Sequence, residues 1–74
     1  MERRQLEYFL AVVDHGGFTA AATELHVAQP SLSHSIKTLE RELGAELFHR
    51  LPRGVRLTSA GEALVAHARR VLRD

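Results

Sequence analysis

The segment from Pro30 to Gly44 constrains the fold more than any other part of this 74-residue chain. Proline is favoured in the first turn of a helix and glycine just past the last turn, so the two residues mark the ends of one helix. At about 100° per residue, its apolar side chains form one narrow stripe, with polar side chains around the rest of the circumference. The stripe comprises Leu32, Ile36, Leu39 and Leu43.

The polar face of this helix is built from residues that gain little from being helical. Ser31, Ser33, His34, Lys37 and Thr38 lie away from the apolar stripe. Short hydroxyl groups approach phosphates and base edges closely, imidazole reaches base edges, and lysine meets phosphate. The amino end of a helix also presents N–H groups and a positive dipole end that favour an anion. These features favour a helix that contacts DNA.

Two shorter helices are expected before this one. An apolar repeat predicts the first, and His15-Gly16-Gly17 ends it, because glycine readily adopts left-handed backbone angles. Thr19 is expected to cap the second helix, whose inward residues include Ala21, Ala22 and Leu25. No glycine marks the next turn, so His26 is expected to take an unusual backbone angle. The repeat of the first helix is Leu6, Phe9, Leu10 and Val13.

The segment after Phe48 has a different pattern. In "HRLPRGVRLT", Pro52-Arg53-Gly54 suits a tight turn with proline second and glycine fourth, and Val55, Arg56 and Leu57 alternate beyond it. A short β-hairpin is therefore expected at about 49–58. Arginine at its tip suits a narrow minor groove, while Arg50 and Arg56 beside it are placed to hold phosphate.

A last helix begins after Thr58, which is expected to cap it, and Glu62 lies in its first turn. Two apolar stripes run along this helix, whereas packing on one small domain needs only one. We therefore expect a second surface to be covered by another copy of the chain. We also expect the helix to continue in a longer protein. The predicted dimer interface comprises Leu64, Val65, Ala68, Val71 and Leu72.

Composition narrows the possible functions. Hydrophobic residues make up 45% of the chain and charged residues 26%, as in a folded domain. Residues 1–28 carry two Arg against four Asp and Glu, whereas residues 29–74 carry eight Lys and Arg against five Asp and Glu. This uneven charge hints at a polyanionic partner. There is no cysteine, and no apolar run is long enough for a membrane span, so a cytoplasmic location is the default.

Catalysis and metal binding find little support in the sequence. The histidines show no ligand spacing, and Ser, His and Asp occur without a nucleophile elbow or oxyanion loop. Gly16-Gly17 follows no strand and so does not suggest a phosphate-binding loop. We expect no enzyme activity, no metal and no cofactor in this chain.

The order of these elements predicts a mainly α fold, a winged helix-turn-helix with a three-helix core and a β-hairpin wing, followed by a long linker helix. Residues 1–58 would form the DNA-binding domain, and residues 59–74 the start of the linker and dimerisation helix. In such folds the helix after the turn, here about 30–43, enters the major groove. The wing at about 49–58 would lie at the minor groove.

The chain resembles the N-terminal DNA-binding domain of LysR-type transcriptional regulators. The matching stretches are "LEYFLAVVDHGGFTAAATELHVAQPSLSHSIKTLERELGAELFHR" and "VRLTSAGEALVAHARRVL", which cover nearly the whole chain. The most specific parts are F-T-x-A-A-x-x-L-x-V-x-Q-P-S-L-S and I-x-x-L-E-x-E-L-G-x-x-L-F-x-R. A match of this length is far more specific than a single short motif.

The resemblance implies a bacterial regulator of transcription that binds double-stranded DNA and acts in the cytoplasm on the nucleoid. It implies a homodimer formed through the last helix, tetramers of the full-length protein, and a small-molecule inducer bound by a domain absent from this chain. Two departures from the family concern the DNA contacts. His34 stands where the family very often has arginine, and Ala28 stands where it usually has serine. The implied DNA-binding residues are Gln29, Pro30, Ser31, Ser33, His34, Lys37, Thr38 and Arg53.

One alternative from another class remains open. Winged helices also serve as protein–protein modules, in which the polar helix face meets a protein partner without specific DNA binding. The salt dependence of binding to duplex DNA distinguishes the two hypotheses, since only phosphate contacts give a steep response.

Overall fold

Four helices and one two-stranded antiparallel sheet make up the computed structural model, which describes residues 1–73. This is the predicted winged helix-turn-helix arrangement. The predicted linker segment ends at Asp74, which lies outside the described residues. The elements are α1 (Arg3–His15), α2 (Phe18–Leu25), α3 (Gln29–Leu43), β1 (Phe48–Arg50), β2 (Val55–Leu57) and α4 (Ser59–Val71).

The turns between the first three helices follow the predicted backbone chemistry with one exception. Gly16 ends α1 in the left-handed conformation, and His26 ends α2 with φ 59° and ψ 41°, as predicted. The exception is Thr19, which lies inside α2 and does not cap it. The helix begins at Phe18 after an extended Gly17, because Phe18 packs into the core and draws the first turn inward.

The hydrophobic core is centred where α1, α2 and α3 meet. Val12, a residue outside the predicted stripe of α1, is fully buried, whereas Val13 is only partly buried. Burying this apolar surface is the main favourable contribution to folding. The largest fully buried side chains are Phe9, Val12, Leu32, Ile36, Leu39 and Leu47.

Helix α3 begins one residue earlier than expected, at Gln29, so Pro30 occupies its second position. Gly44 ends it at φ 71°, as predicted. The expected burial of Leu43 is wrong, because this side chain is 42% exposed at a point where α3 has run past the core. Glu40 joins the end of α3 to the hairpin, since its Oε2 accepts a hydrogen bond of 2.7 Å from the backbone N–H of Leu47.

The hairpin spans residues 48–57, one residue earlier than the predicted range of 49–58, and has its turn at Pro52-Arg53-Gly54 as expected. Phe48 pairs with Leu57 and Arg50 with Val55, and the N–H of Leu51 donates to the Gly54 carbonyl at 3.1 Å. Gly54 rests against the turn between α1 and α2, where an added Cβ would lie 2.6 Å from the carbonyl oxygen of Gly16. The wing tip is therefore held against the body of the domain by a close backbone approach.

Helix α4 is fastened at both ends of its described length. The hydroxyl of Thr58 accepts a hydrogen bond from the Gly61 N–H at 3.0 Å, which confirms the predicted cap. Near the other end, Arg69 Nη2 lies 2.8 Å from Asp14 Oδ1 of α1. That hydrogen bond and charge pairing raise the pKa of Arg69. No helix in residues 1–73 is long and apolar enough to cross a membrane.

Candidate nucleic-acid interface

The first two turns of α3 present a polar surface. Pro30, Ser31 and His34 are exposed, while Gln29 and Ser33 are partly buried. The next turn adds Lys37, which is exposed, and Thr38, which is partly buried. Leu32, Ile36 and Leu39 on the opposite edge are at most 1% exposed, so packing against the core fixes the direction in which the polar side chains project. The five residues of the first two turns, Gln29, Pro30, Ser31, Ser33 and His34, therefore lie on or near the face of α3 that points away from the core.

The amino end of α3 has no side-chain cap within residues 1–73. Its N-cap is Ala28, in an extended conformation, and the Ala28 carbonyl accepts hydrogen bonds from the N–H groups of Ser31 and Leu32. A methyl group at this position cannot accept a hydrogen bond from the first turn. The positive end of the helix dipole is thus directed at solvent beside Ser31, a position suited to a phosphate.

Lys37 and Thr38 differ in how free their polar groups are. Lys37 is exposed, whereas Thr38 is partly buried and its hydroxyl accepts a hydrogen bond of 3.2 Å from Arg41 Nη2. A threonine hydroxyl still has a proton to donate when it accepts one bond. Thr38 therefore sits at the edge of the candidate surface, held in place by Arg41.

The wing places Arg50 and Arg53 differently. Arg53 is exposed at the tip, next to the Gly54 contact with the α1–α2 turn. Arg50 lies at the end of β1, and its guanidinium carbon is 3.9 Å from the centre of the Phe18 ring. A shallow hollow between the α1–α2 turn and the wing is lined by Arg50 and, from α3, by its first residue, Gln29. The structure thus brings the start of α3 and the base of the wing to the same side.

The predicted dimer residues divide into two groups. Leu64 is 7% exposed and Ala68 is 0% exposed, so both pack into this chain's own core. These two side chains therefore offer little surface to a second copy, and periodicity alone does not distinguish such intramolecular packing from a dimer contact. Val71 is 44% exposed, and Val65 and Leu72 are partly buried at the side of the core. These three keep apolar surface available.

Sequence reasoning missed one part of the apolar surface beside α4. Leu43, expected in the core, instead borders an apolar hollow between the end of α3 and the first turns of α4. The signal for its exposure was its position, since it is the last residue of α3 before Gly44. The residues that line this hollow are Leu43, Ala45, Leu47, Ala60, Ala63, Leu64 and His67.

Comparison with known proteins identifies the family of this fold. Residues 3–62 match the family of bacterial regulatory helix-turn-helix proteins of the lysR type. The chain belongs to the LysR family. The matched range runs from the start of α1 to the first turn of α4, so it includes the whole candidate surface and the wing.

LysR-family relatives match along nearly the whole chain. The regulator TfdT of Cupriavidus pinatubonensis is 51% identical over 72 residues, which are 97% of this chain and 32% of TfdT. The nitrogen assimilation regulatory protein nac of Escherichia coli is 51% identical over 74 residues, which are 100% of this chain and 24% of that protein. This chain therefore spans about a quarter to a third of the length of these relatives.

Solved structures of LysR-family domains share the fold closely. The CbnR DNA-binding domain, solved in complex with DNA, superposes with a TM-score of 0.95 at 48% identity and covers 99% of this chain and 84% of that one. The BenM DNA-binding domain, solved with benA site 1 DNA, has a TM-score of 0.93 at 45% identity and covers 99% and 85% of the two chains.

Proposed function

We propose that this chain binds double-stranded DNA sequence-specifically and regulates transcription in the bacterial cytoplasm, on the nucleoid. The recognition helix, residues 30–43, enters the major groove, and the wing, residues 49–58, lies at the minor groove. One observation carries the proposal: the start of α3 and Arg50 of the wing line the same hollow, while the apolar edge of α3 is buried in the core. The DNA complexes of the similar CbnR and BenM domains support it.

Each residue has a proposed role set by its chemistry. Ser33 and His34 contact base edges, and Gln29 and Pro30 contact bases or the sugar at the entry of the helix. Ser31, Lys37 and Arg50 hold phosphates, with Thr38 at the margin. Arg53 enters the minor groove. No cofactor and no catalytic step belong to this proposal.

The proposal is tested by titrating salt against binding of the chain to a mixed-sequence duplex, followed by selection of bound sequences from a random DNA pool. We expect the logarithm of affinity to fall linearly with the logarithm of salt concentration, with a slope of about −0.9 per phosphate contact. We also expect selection to return paired half-sites about one helical turn, or a multiple, apart. A flat salt response would instead favour a protein–protein module.

Replacing Arg53 with alanine is expected to weaken binding to mixed-sequence and selected duplexes alike. A guanidinium in the minor groove interacts mainly with its negative potential, so its loss lowers affinity with little regard to sequence. The salt slope should become shallower by up to about 0.9. Fluorescence anisotropy at several salt concentrations measures both quantities. A steeper slope in Arg53→Ala than in the parent would exclude the wing assignment.

We also propose that the chain forms a homodimer through α4, and that dimers pair in full-length regulators. The support is the apolar surface that remains after folding: Leu43 and Ala63 line one hollow, and Val71 is exposed about two turns further along α4. An exposed apolar patch of this kind is typical of an interaction site.

The variants Val71→Glu and Leu43→Glu are expected to weaken self-association by about tenfold or more, because an unpaired carboxylate is costly to bury. Ala66→Glu is the matched control, since Ala66 is exposed on α4 and borders neither the core nor the apolar hollow. Sedimentation equilibrium of the three variants and the parent measures the effect. Equal association of Val71→Glu and Ala66→Glu would rule out the interface.

A further inference from the structure

Three aromatic rings lead from the centre of the core to the base of the wing. Phe9 is fully buried, and its ring centre lies 5.3 Å from that of Phe48 on β1. Phe48 in turn makes an edge contact with Phe18, at 5.7 Å between ring centres and an interplanar angle of 74°. The Arg50 guanidinium lies over Phe18 at 3.9 Å. We refer to Phe9, Phe48 and Phe18 as the aromatic series.

The Phe18 ring is a rigid support for Arg50. Phe18 is only 6% exposed and is held by Phe48, so it has little freedom to follow the arginine. A free arginine side chain loses rotamer entropy when it becomes fixed on a ligand. Stacking over a ring that is already fixed removes part of that loss before any ligand arrives.

The N–H donors of Arg50 remain available to a ligand. A guanidinium that rests on a ring through its flat face keeps these donors in its plane, in a geometry that matches phosphate oxygens. Among residues 1–73, no carboxylate forms an ion pair with Arg50 and no acceptor takes a hydrogen bond from it. No carboxylate of the described residues therefore neutralises this charge, which lies against the ring of Phe18.

The surroundings of Arg50 indicate what it binds. It lies between two hollows. One is lined also by Gln29 and Thr19 and by no carboxylate of the described residues, whereas the other is lined by Lys37 together with two carboxylates, Glu40 and Glu46. The side of Arg50 that faces the start of α3 is therefore the side open to an anion. A phosphodiester that follows the groove past α3 would meet Arg50 at the junction of helix and wing.

We propose that Phe18 is a positioning residue, which holds the Arg50 guanidinium in advance as a phosphate-binding group at the base of the wing. This inference rests on the proposed DNA-binding function and deepens it. It assigns to a buried core phenylalanine a contribution to affinity that passes through Arg50 alone. The ligand is one backbone phosphate of duplex DNA.

The test is a double-mutant cycle on binding to a mixed-sequence duplex of about three helical turns. Phe18→Leu keeps an apolar side chain but removes the ring face. It should weaken binding about two- to fivefold in the parent background and leave affinity nearly unchanged in the Arg50→Ala background. Thermal unfolding of all four proteins is measured alongside, because the stability lost with the ring should be similar in both backgrounds.

Arg56→Ala is the matched control background, since Arg56 is an exposed arginine of the same hairpin on the other strand. Phe18→Leu should cost as much affinity with Arg56→Ala as in the parent. Equal losses in the parent, Arg50→Ala and Arg56→Ala backgrounds would overturn the proposal, because they would reflect damage to the core alone.

Arg50→Lys provides a second test that leaves the core intact, in case Phe18→Leu does not fold. Lysine keeps the charge but lacks the planar group that stacks, so we expect about two- to fivefold weaker binding with an unchanged salt slope. Binding equal to the parent would refute the positioning role. If the parent itself shows no salt-dependent binding, the proposed function fails; if it binds without coupling, only this inference fails.

Discussion

Gly61→Ala is expected to destabilise the chain by about 2–3 kcal/mol and to lower its melting temperature by roughly 10–20 °C. An alanine Cβ at this position would overlap the carbonyl oxygen of Leu47 and would lie 2.8 Å from Cδ2 of Leu57. A flexible side chain can move away, but a backbone carbonyl that is itself held cannot. The size of the effect therefore depends on how firmly Leu47 is fixed.

Leu47 is fixed by hydrogen bonds on both sides. Its carbonyl accepts from the Thr58 N–H at 3.0 Å, and its own N–H donates to Glu40 at 2.7 Å. The Thr58 hydroxyl donates to the Glu46 carbonyl and also accepts from Gly61. A shift that made room for the new methyl group would break part of this network, which joins α3, the hairpin and α4.

Ala66→Gly is the control for the Gly61 prediction, because it makes the opposite exchange on an exposed face of the same helix. There, loss of alanine should cost about 1 kcal/mol through helix propensity. Helix propensity alone would therefore make Gly61→Ala stabilising. We expect it to be destabilising instead, because there is no space for the added methyl group. Thermal or urea unfolding followed by circular dichroism measures both. A stabilised Gly61→Ala would contradict the tight packing described here.

Most helix ends were predictable from sequence because they depend on local chemistry, although the start of α2 was not, since Thr19 does not cap it. Gly16 and Gly44 adopt the left-handed angles that glycine favours, Thr58 caps α4 through its own hydroxyl, and His26 takes the one positive φ among the non-glycine residues 1–73. In each case the residue and its immediate neighbours determine the result. The order of these elements was enough to define the winged helix-turn-helix.

What the sequence did not provide depends on contacts between distant parts of the chain. Leu43 fits the apolar stripe of α3 but is exposed, because the partner surfaces end before the helix does. Leu64 and Ala68 have the spacing of an interface stripe, yet this chain's own core covers them. The stacking of Arg50 on Phe18 joins residues 32 positions apart, and no local pattern encodes that contact.

The candidate site was predictable to a similar degree. Sequence identified the polar face of α3 because the apolar stripe fixes which residues point away from the core. It did not reveal that Arg41 engages the hydroxyl of Thr38, or that Gly54 anchors the wing on the Gly16 carbonyl.

His34→Ala is expected to weaken binding to a selected, high-affinity duplex by about 1–3 kcal/mol, or roughly 5- to 150-fold, while binding to a mixed-sequence duplex changes little. His34 is exposed in the second turn of α3, on the face opposite the buried leucines, where a helix in the major groove meets base edges. An imidazole hydrogen-bonded to a base contributes only on the correct sequence, so its loss lowers the specificity ratio.

Lys37→Ala is the matched comparison for His34, since Lys37 is exposed on the same helix three residues further along. A lysine bound to phosphate contributes on every sequence, so this variant should weaken binding to both duplexes equally and reduce the salt slope by about 0.9. Unlike His34→Ala, His34→Arg should bind a selected duplex tightly, but with the preferred base shifted toward guanine. The reason is that arginine forms hydrogen bonds with the O6 and N7 atoms of guanine. If His34→Ala lost equal affinity for both duplexes, His34 would contact the DNA backbone, like Lys37, and would not recognise a base.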